Sequence, residues 1–346
     1  MLKDLKRFTV LGVIVSILVG TLSGCAKETL SENLTIRVAH FPNIVHSQAL
    51  VGRVEGQFQK AVGENNVIEW KAFNAGPAEI EAFFAGEVDL GYIGPGPAIN
   101  GFTKSKGDII IIAGATDAGA ILVSRKDVNM KDIKDLDGKK IAVPQFGNTQ
   151  HLSLLNLLKE NGLTDSAKGG SVEILAAANP DIKTLLDSGE IDAAFVPEPW
   201  GSRLIIEVGA KVVLDYNKVF RDGLYTSAVV IARKEFAEKN PEIVENFLKA
   251  HIEITEYINS DLEHAKQIVN EEIKALTDKE IDPAVLDAAF DRLTVTYNPQ
   301  KDSVVDFAAF SMEAGFIEKT PDYEQLFNLT YLNKVLKEKQ LEEIQS

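Results

Sequence analysis

Pro77-Ala-Glu-Ile-Glu-Ala-Phe-Phe-Ala-Gly86-Glu87-Val88-Asp89-Leu-Gly-Tyr92-Ile93 runs into Gly94-Pro95-Gly96-Pro97. About a hundred positions later the stretch returns as Pro180-Asp-Ile-Lys-Thr-Leu-Leu-Asp-Ser-Gly189-Glu190-Ile191-Asp192-Ala-Ala-Phe195-Val196, running into Pro197-Glu198-Pro199-Trp200. Pro, Gly-Glu, an aliphatic residue, Asp and an aromatic–aliphatic pair keep one offset through both copies. Each copy reads as a single unit. Pro opens a helix, Gly closes it, a short apolar strand follows, and a Pro-rich loop leaves the strand's C-terminal end. Two copies are too few for a solenoid, which needs at least about three. They point to two related α/β lobes with a cleft between them, because open α/β sheets bind small ligands beyond the carboxyl ends of their strands.

Outward from the repeat, apolar alternation predicts strands at residues 34–40, 67–73, 108–114, 120–124, 141–143, 171–176, 211–214 and 226–232. Helices are expected at residues 49–60, as a short piece at 131–138, and at 152–161, where Leu152, Leu155 and Leu158 form a stripe. From Lys234 onward the pattern is helical, with starts at Pro241 and Pro283. The order is β-α-β-α, a second β-α-β-α block, then a helical tail, which fits largely parallel sheets. The second block is inserted in the first. One lobe is therefore expected to comprise residues 34–124 and 226–346, and the other residues 125–225. The chain would cross between lobes near 120–126 and 225–233, and two extended crossings make a hinge.

Residues 1–24 read as a lipoprotein signal peptide. Lys3, Lys6 and Arg7 precede an apolar segment too short for a comfortable membrane span, and Leu22-Ser23-Gly24 leads to Cys25. Cys25 is the single cysteine and the expected lipidation site, so no internal disulfide can form. Residues 25–33 read as the lipidated cysteine and a flexible stalk. The net charge of -15 argues against nucleic-acid partners and against electrostatic adhesion to anionic lipid. It leaves an anionic ligand open, because local dipoles decide binding inside a cleft.

Several loops that open helices should meet at that cleft: Asn74-Ala75-Gly76-Pro77 and Gly94-Pro95-Gly96-Pro97 from one lobe, Gly147-Asn148-Thr149-Gln150 and Asn179-Pro180 from the other. Each offers an N-cap side chain or a glycine followed by unpaired N–H groups, a ready site for an anion. Asn148 and Thr149 add neutral donors. Asn43, His46 and Gln48 lie on the first strand-to-helix loop and can reach the same cleft, or else pack. Trp200 is placed either to cover a ligand's apolar part or to pack the lobe edge. Glu198 is placed either to accept from an amine or hydroxyl or to face solvent. No G-x-S-x-G elbow, P-loop or G-x-G-x-x-G occurs, and the five histidines lack close metal-ligand spacing. Glu198 with Asp117 is the one carboxylate pair to consider for acid/base chemistry in an exported enzyme.

Three segments, Gly91-Tyr-Ile-Gly-Pro-Gly-Pro-Ala-Ile-Asn100, Lys140-Ile-Ala-Val-Pro-Gln-Phe-Gly-Asn-Thr-Gln150 and Ala194-Phe-Val-Pro-Glu-Pro-Trp-Gly201, carry a family resemblance. On them the chain resembles the solute-binding lipoproteins of ABC importers, in the nitrate/sulfonate/taurine branch. The resemblance covers nearly all of the chain after Cys25. It implies an α/β, two-lobe type II periplasmic-binding-protein fold with a double-strand hinge and a helical C-terminal region. It implies a non-enzymatic receptor without cofactor or metal, acting as a monomer. A small organic anion, an aliphatic sulfonate or taurine-like compound, would be its ligand, and an ABC permease with its ATPase its partners. By position, Pro95, Gly96, Pro97, residues 148–150 and residues 198–200 would hold the ligand. The branch also contains binders of nitrate, bicarbonate, aromatic acids and thiamine pyrimidine precursors, and a signalling partner in place of the permease is the other reading. Lipid on Cys25 would tether the chain to the extracytoplasmic face of the membrane. Ala26, where an inner-membrane retention signal has Asp, points toward the outer face of a single-membrane cell.

Overall fold

The repeated unit folds as its punctuation implies. The helices Gly76–Phe84 and Asn179–Ser188 each carry Pro in their first turn. Gly86 and Gly189 follow with positive φ, +70° and +81°, a backbone that only glycine adopts without strain. Strands β3 (Leu90–Ile93) and β8 (Ala193–Pro197) come next and are wholly buried. The structure, a computed structural model, describes residues 33–345. The signal peptide, Cys25 and all but the last residue of the stalk therefore lie outside the described residues.

Around these strands stand β1 (Thr35–His40), β2 (Val67–Ala72), β4 (Ile109–Ala118), β5 (Ala120–Ser124), β6 (Lys140–Val143), β7 (Glu173–Ala176), β9 (Lys211–Leu214), β10 (Thr226–Arg233) and β11 (Leu293–Val295). They form two sheets, β11-β4-β10-β3-β1-β2 and β7-β6-β8-β5-β9. Within each, the strands of the β-α-β units pair in parallel, and a strand that has just left the other sheet is laid antiparallel against β3 or β8. β10 fills in the first sheet the place that β5 fills in the second, so the two lobes repeat one topology. Both sheets belong to one compact unit. The chain crosses at Ala118-Gly119, where φ is +60° and +74°, and again at Leu224-Tyr225. The crossings are tied to each other, since Ala118 N–H donates to Tyr225 O at 2.8 Å. Ala120–Ser124, placed above on the first lobe's side of the 124/125 boundary, hydrogen-bonds within the second sheet.

Other elements differ locally from expectation. The helix at 49–60 is two helices, Ser47–Val54 and Gln57–Val62, broken at Gly56 with φ +64°. The piece at 131–138 is a 3-10 turn, Ile133–Leu136, opened by a capping box between Asp132 and Asp135. On the helix Thr149–Glu160 the buried leucines are Leu152, Leu154, Leu157 and Leu158, while Leu155 sits at the margin. The C-terminal region is helical from Pro241 and Pro283 as expected, but Leu293–Val295 leaves it to extend the first sheet beside β4. The long helix Pro241–Ser260 covers that sheet. Phe247 stacks on Phe58 at 4.4 Å, and His251 accepts from the Tyr92 hydroxyl at 2.8 Å and donates to Gly114 O at 2.8 Å. Burial holds His251 near pKa 4, so a neutral ring makes both bonds.

The recurring aspartate has the same work in both lobes. Asp89 Oδ2 accepts Arg37 N–H at 3.0 Å and Arg37 Nε at 2.8 Å, and Oδ1 accepts Arg37 Nη2 at 2.7 Å and Arg233 Nη2. Asp192 Oδ2 accepts Lys140 N–H at 3.0 Å, and Oδ1 faces Arg125 Nη2 at 3.4 Å. Arg37 and Arg125 also reach the carbonyls of Gly86 and Gly189. Each aspartate thus joins the first strand of its lobe to the end of the crossing strand. Glu79 marks a difference between the copies. It lies fully buried where the second copy has Ile182, and neither of its oxygens has a partner. It rests against Gly91, where a Cβ would stand 2.2 Å from Glu79 Oε1. Burial raises its pKa well above the ordinary carboxylate range.

Asp89 is 1% exposed and Asp192 24%. Asp89→Ala should therefore cost about 3 kcal/mol, leaving two guanidinium groups without their carboxylate, and Asp192→Ala about 1 kcal/mol. Urea titration measures both, and equal costs would contradict the assignment to burial. Glu79 keeps its proton when folded and loses it when unfolded above the ordinary range, so its contribution is fully present at low pH and declines as pH rises. Glu79→Gln should flatten the loss of stability between pH 5 and 8 while leaving the pH 4 value nearly unchanged, read from the same titration.

Candidate ligand-binding cleft

The loops that leave β1, β2, β3, β6 and β8 converge between the two sheets, at the carboxyl ends of the strands where α/β sheets receive ligands. They enclose an inner chamber of about 50 Å³. Asn43, His46, Asn74, Gly76 and Pro97 line it from the first lobe, and Asn148, Thr149, Gln150 and Asn179 from the second. No Asp, Glu, Lys or Arg is among its lining residues.

What the chamber offers is donors. Asn148 caps the helix Thr149–Glu160 by accepting from His151 N–H at 2.8 Å. The N–H groups of Thr149 and Gln150, the first two of that helix, have no intrahelical partner and make no hydrogen bond among the described residues. The Thr149 hydroxyl is buried and unpartnered. Asn43 uses its Oδ1 to accept from Val45 N–H at 3.1 Å, which leaves its amide nitrogen free. His46 accepts from Phe41 N–H through Nδ1 at 2.9 Å and stacks on the Phe41 ring at 4.4 Å. Burial, reinforced by the nearby His40, holds its pKa well below the usual imidazole range. The ring is therefore neutral and carries its proton on Nε2 as a further donor. Neutral donors gathered at the positive end of a helix dipole suit an anion, without a counter-charge that would have to be desolvated.

The Gly94-Pro95-Gly96-Pro97 loop contributes differently from what was expected of it. Pro95 and Pro97 have no N–H, so the helix Pro95–Lys104 presents only that of Gly96 in its first three residues. The glycines serve close approach. A Cβ on Gly94 would stand 2.3 Å from Thr149 Oγ1, and one on Gly96 2.8 Å from Leu152 Cδ1. The first lobe's backbone here meets the Thr149 and Leu152 side chains of the second lobe directly.

A wider groove of about 700 Å³ opens outward from the chamber. Phe41, Asn43, Asn74 and Asn179 border both. Trp200 lines the groove and also packs against the second lobe's apolar core, the second of its two expected placements. The charged residues of the groove are Lys183, Arg203, Lys279 and Asp187. Lys183 and Arg203 are both paired with Glu207.

Four expected site residues line neither cavity: Gln48, Pro95, Gly96 and Glu198. The Gln48 amide is buried and donates to Ala115 O at 2.7 Å, tying a helix to β4. Glu198, far from facing solvent, is fully buried. It accepts from Ser202 N–H at 2.9 Å and Ser202 Oγ at 3.0 Å, with Arg292 3.5 Å away. Asp117 is bound by Gln300 Nε2 at 2.8 Å. Burial raises both carboxyls to about pKa 7, yet the two have separate partners and neither borders the cavities, so they do not form an acid/base pair facing a substrate. Among the described residues no group of three or more His, Cys, Asp or Glu could hold a metal ion. Sequence reasoning missed Ser227, which lines the chamber and donates to Thr116 O at 3.1 Å. The polar Thr226-Ser227 opening of an otherwise apolar strand was its only signal. It also missed Phe73, Arg203 and Ile273 of the groove, which nothing local distinguishes from ordinary surface residues.

Comparison with known proteins fits this geometry. A taurine-binding periplasmic protein of Escherichia coli K12 is 34% identical over 206 residues, 59% of this chain and 61% of that protein. A Bacillus subtilis 168 protein whose name assigns it, provisionally, to aliphatic sulfonates is 24% identical over 340 residues, 96% of this chain and 97% of that protein. Among solved structures, the alkanesulfonate-binding protein SsuA from Xanthomonas axonopodis pv. citri, bound to MOPS, superposes with a TM-score of 0.69. It is 18% identical and the match covers 85% of this chain and 96% of that one, a likeness of fold. The two sheets, their exchanged strands and the paired crossings are thus those of a periplasmic-binding-protein fold. The model of the NMT1-like family matches residues 30–271, more than half of the sequence, and the chain belongs to that family.

Proposed function

We propose that this chain is the lipid-anchored, extracytoplasmic solute-binding protein of an ABC importer. It captures a small organic anion, an aliphatic sulfonate or taurine-like compound, between its lobes and delivers it to the permease. The two lobes, one built on each sheet and with residues 120–124 in the second, close about the ligand, and Cys25 carries the anchor. The observation that carries the reading is the inner chamber. The unpartnered Thr149 hydroxyl and the free N–H groups at the start of Thr149–Glu160 meet neutral donors of the other lobe, with no charged side chain among them. A ligand that accepts from both lobes holds them together, and that closed form is what a permease can recognise. The names of the relatives, which speak of taurine and aliphatic sulfonates, agree with it. The small volume of the chamber, about 50 Å³, also suits a bare planar anion such as nitrate or bicarbonate.

A thermal-shift screen of the chain against alkyl sulfonates, taurine, nitrate, bicarbonate, aromatic acids and pyrimidine precursors tests the proposal. A ligand at about a hundred times its dissociation constant adds roughly 2.7 kcal/mol of stability. A shift with sulfonates supports the reading, a shift with nitrate or bicarbonate alone replaces the ligand, and silence across the panel refutes it. Thr149→Val keeps the shape of the side chain and removes the unpartnered hydroxyl. By calorimetry it should weaken binding of the active ligand roughly ten-fold to hundred-fold and leave the unliganded melting temperature nearly unchanged.

A further inference from the structure

What lies beyond the anion follows from the groove, and the inference rests on the sulfonate reading above. The inner chamber holds about 50 Å³, room for only a few waters at about 10–15 Å³ each. The chamber accommodates a sulfonate head and little of what is attached to it. The outer groove of about 700 Å³ continues from it across the four residues that border both. That size is in the range of small-molecule sites, about 300–1,000 Å³.

Its walls come from three parts of the chain. Phe73 follows β2 of the first lobe, Trp200 opens a helix of the second, and Ile273, Leu276 and Ile281 come from the C-terminal helical region. The indole is held in place: the Arg203 guanidinium lies over its ring at 4.7 Å, and Arg203 Nε is itself fixed by Glu207 at 3.0 Å. A rigid aromatic wall binds an apolar group with little ordering cost. Lys183 and Arg203 are neutralised by Glu207, and Lys279 is balanced in number by Asp187. A short polar tail, as in taurine, would leave the apolar walls uncovered.

The geometry points to a ligand whose sulfonate head sits on a bulky apolar tail, a ring system or long chain, lying in the outer groove between Phe73 and Trp200. Those two residues, with Ile273, set specificity, and a short tail that does not reach them binds more weakly.

Isothermal calorimetry on the full chain with methanesulfonate, taurine, hexanesulfonate, benzenesulfonate and naphthalene-2-sulfonate tests this, since the head is constant and the tail grows. Affinity should rise at least about a hundred-fold from methanesulfonate to naphthalene-2-sulfonate, with taurine weaker than hexanesulfonate. Trp200→Ala and Phe73→Ala should each weaken naphthalene-2-sulfonate about ten-fold to hundred-fold and change methanesulfonate by less than about two-fold. The methanesulfonate arm shows that the variants are folded and the chamber intact. Equal affinity along the series, or an equal loss for every ligand in the variants, overturns the tail site and leaves the sulfonate receptor standing. No binding by any member overturns both.

Discussion

A carboxylate at the start of one strand in each lobe, buried in the first and partly exposed in the second, is the constraint on which the architecture depends. β10 and β5 reach their sheets from the other lobe and are held there by antiparallel ladders, β10 between β3 and β4 and β5 between β8 and β9. Asp89 and Asp192 pin the ends of those strands. Each bonds the backbone at the head of its lobe's first strand and an arginine at the end of the crossing strand, Arg233 or Arg125. Charge-assisted bonds of this kind are about twice as strong as neutral ones. Because the carboxylates sit at the amino ends of β3 and β8, the clamp lies at the far end of each sheet from the cleft. The carboxyl ends remain free to carry the loops that line the chamber.

The electrostatics of the cleft run against those of the whole. A chain with net charge -15 carries a chamber without ionised lining residues, fronted by a groove whose Lys183 and Arg203 are paired with Glu207. The acidic exterior favours solubility, while within the cleft the local helix dipole sets the field. Gly94 and Gly96 complete the arrangement from the packing side. They let the first lobe touch the start of Thr149–Glu160 directly, so the donors of both lobes fall within the reach of one small anion.

Much of this was legible in the chain. Pro77 and Pro180, Gly86 and Gly189, and Asp89 and Asp192 mark local backbone events, a helix start, a helix end and a strand head, and these need only neighbouring residues to be read. The loop residues Asn43, His46, Gly76, Asn148, Thr149 and Gln150 were found because a helix N-terminus at a strand's carboxyl end is a local feature with a directional consequence. Gln48 and Glu198 were misplaced for the converse reason. One residue along a helix, or one along a turn, rotates a side chain from the cleft into the core, and local pattern does not carry that angle. Pro95 shows a similar limit: the loop was recognised, but its service is close packing, which depends on Leu152 and Thr149 from the other lobe.

The sequence by itself determined the number of lobes, their alternating elements, the discontinuous order of the chain and the neutral, donor-rich character of the helix starts that face the cleft. These rest on periodicity, on the backbone restrictions of proline and glycine, and on side-chain chemistry, which act within a few residues. Only the tertiary structure decided that β5 joins the second sheet, that Leu293–Val295 joins the first sheet, that Glu198 is sealed beneath Ser202 and Arg292, and that Phe73, Trp200 and Ile273 share one groove. Each of those brings together residues far apart in the chain. Their energies depend on which surfaces meet, a property of the packed whole that no local pattern encodes.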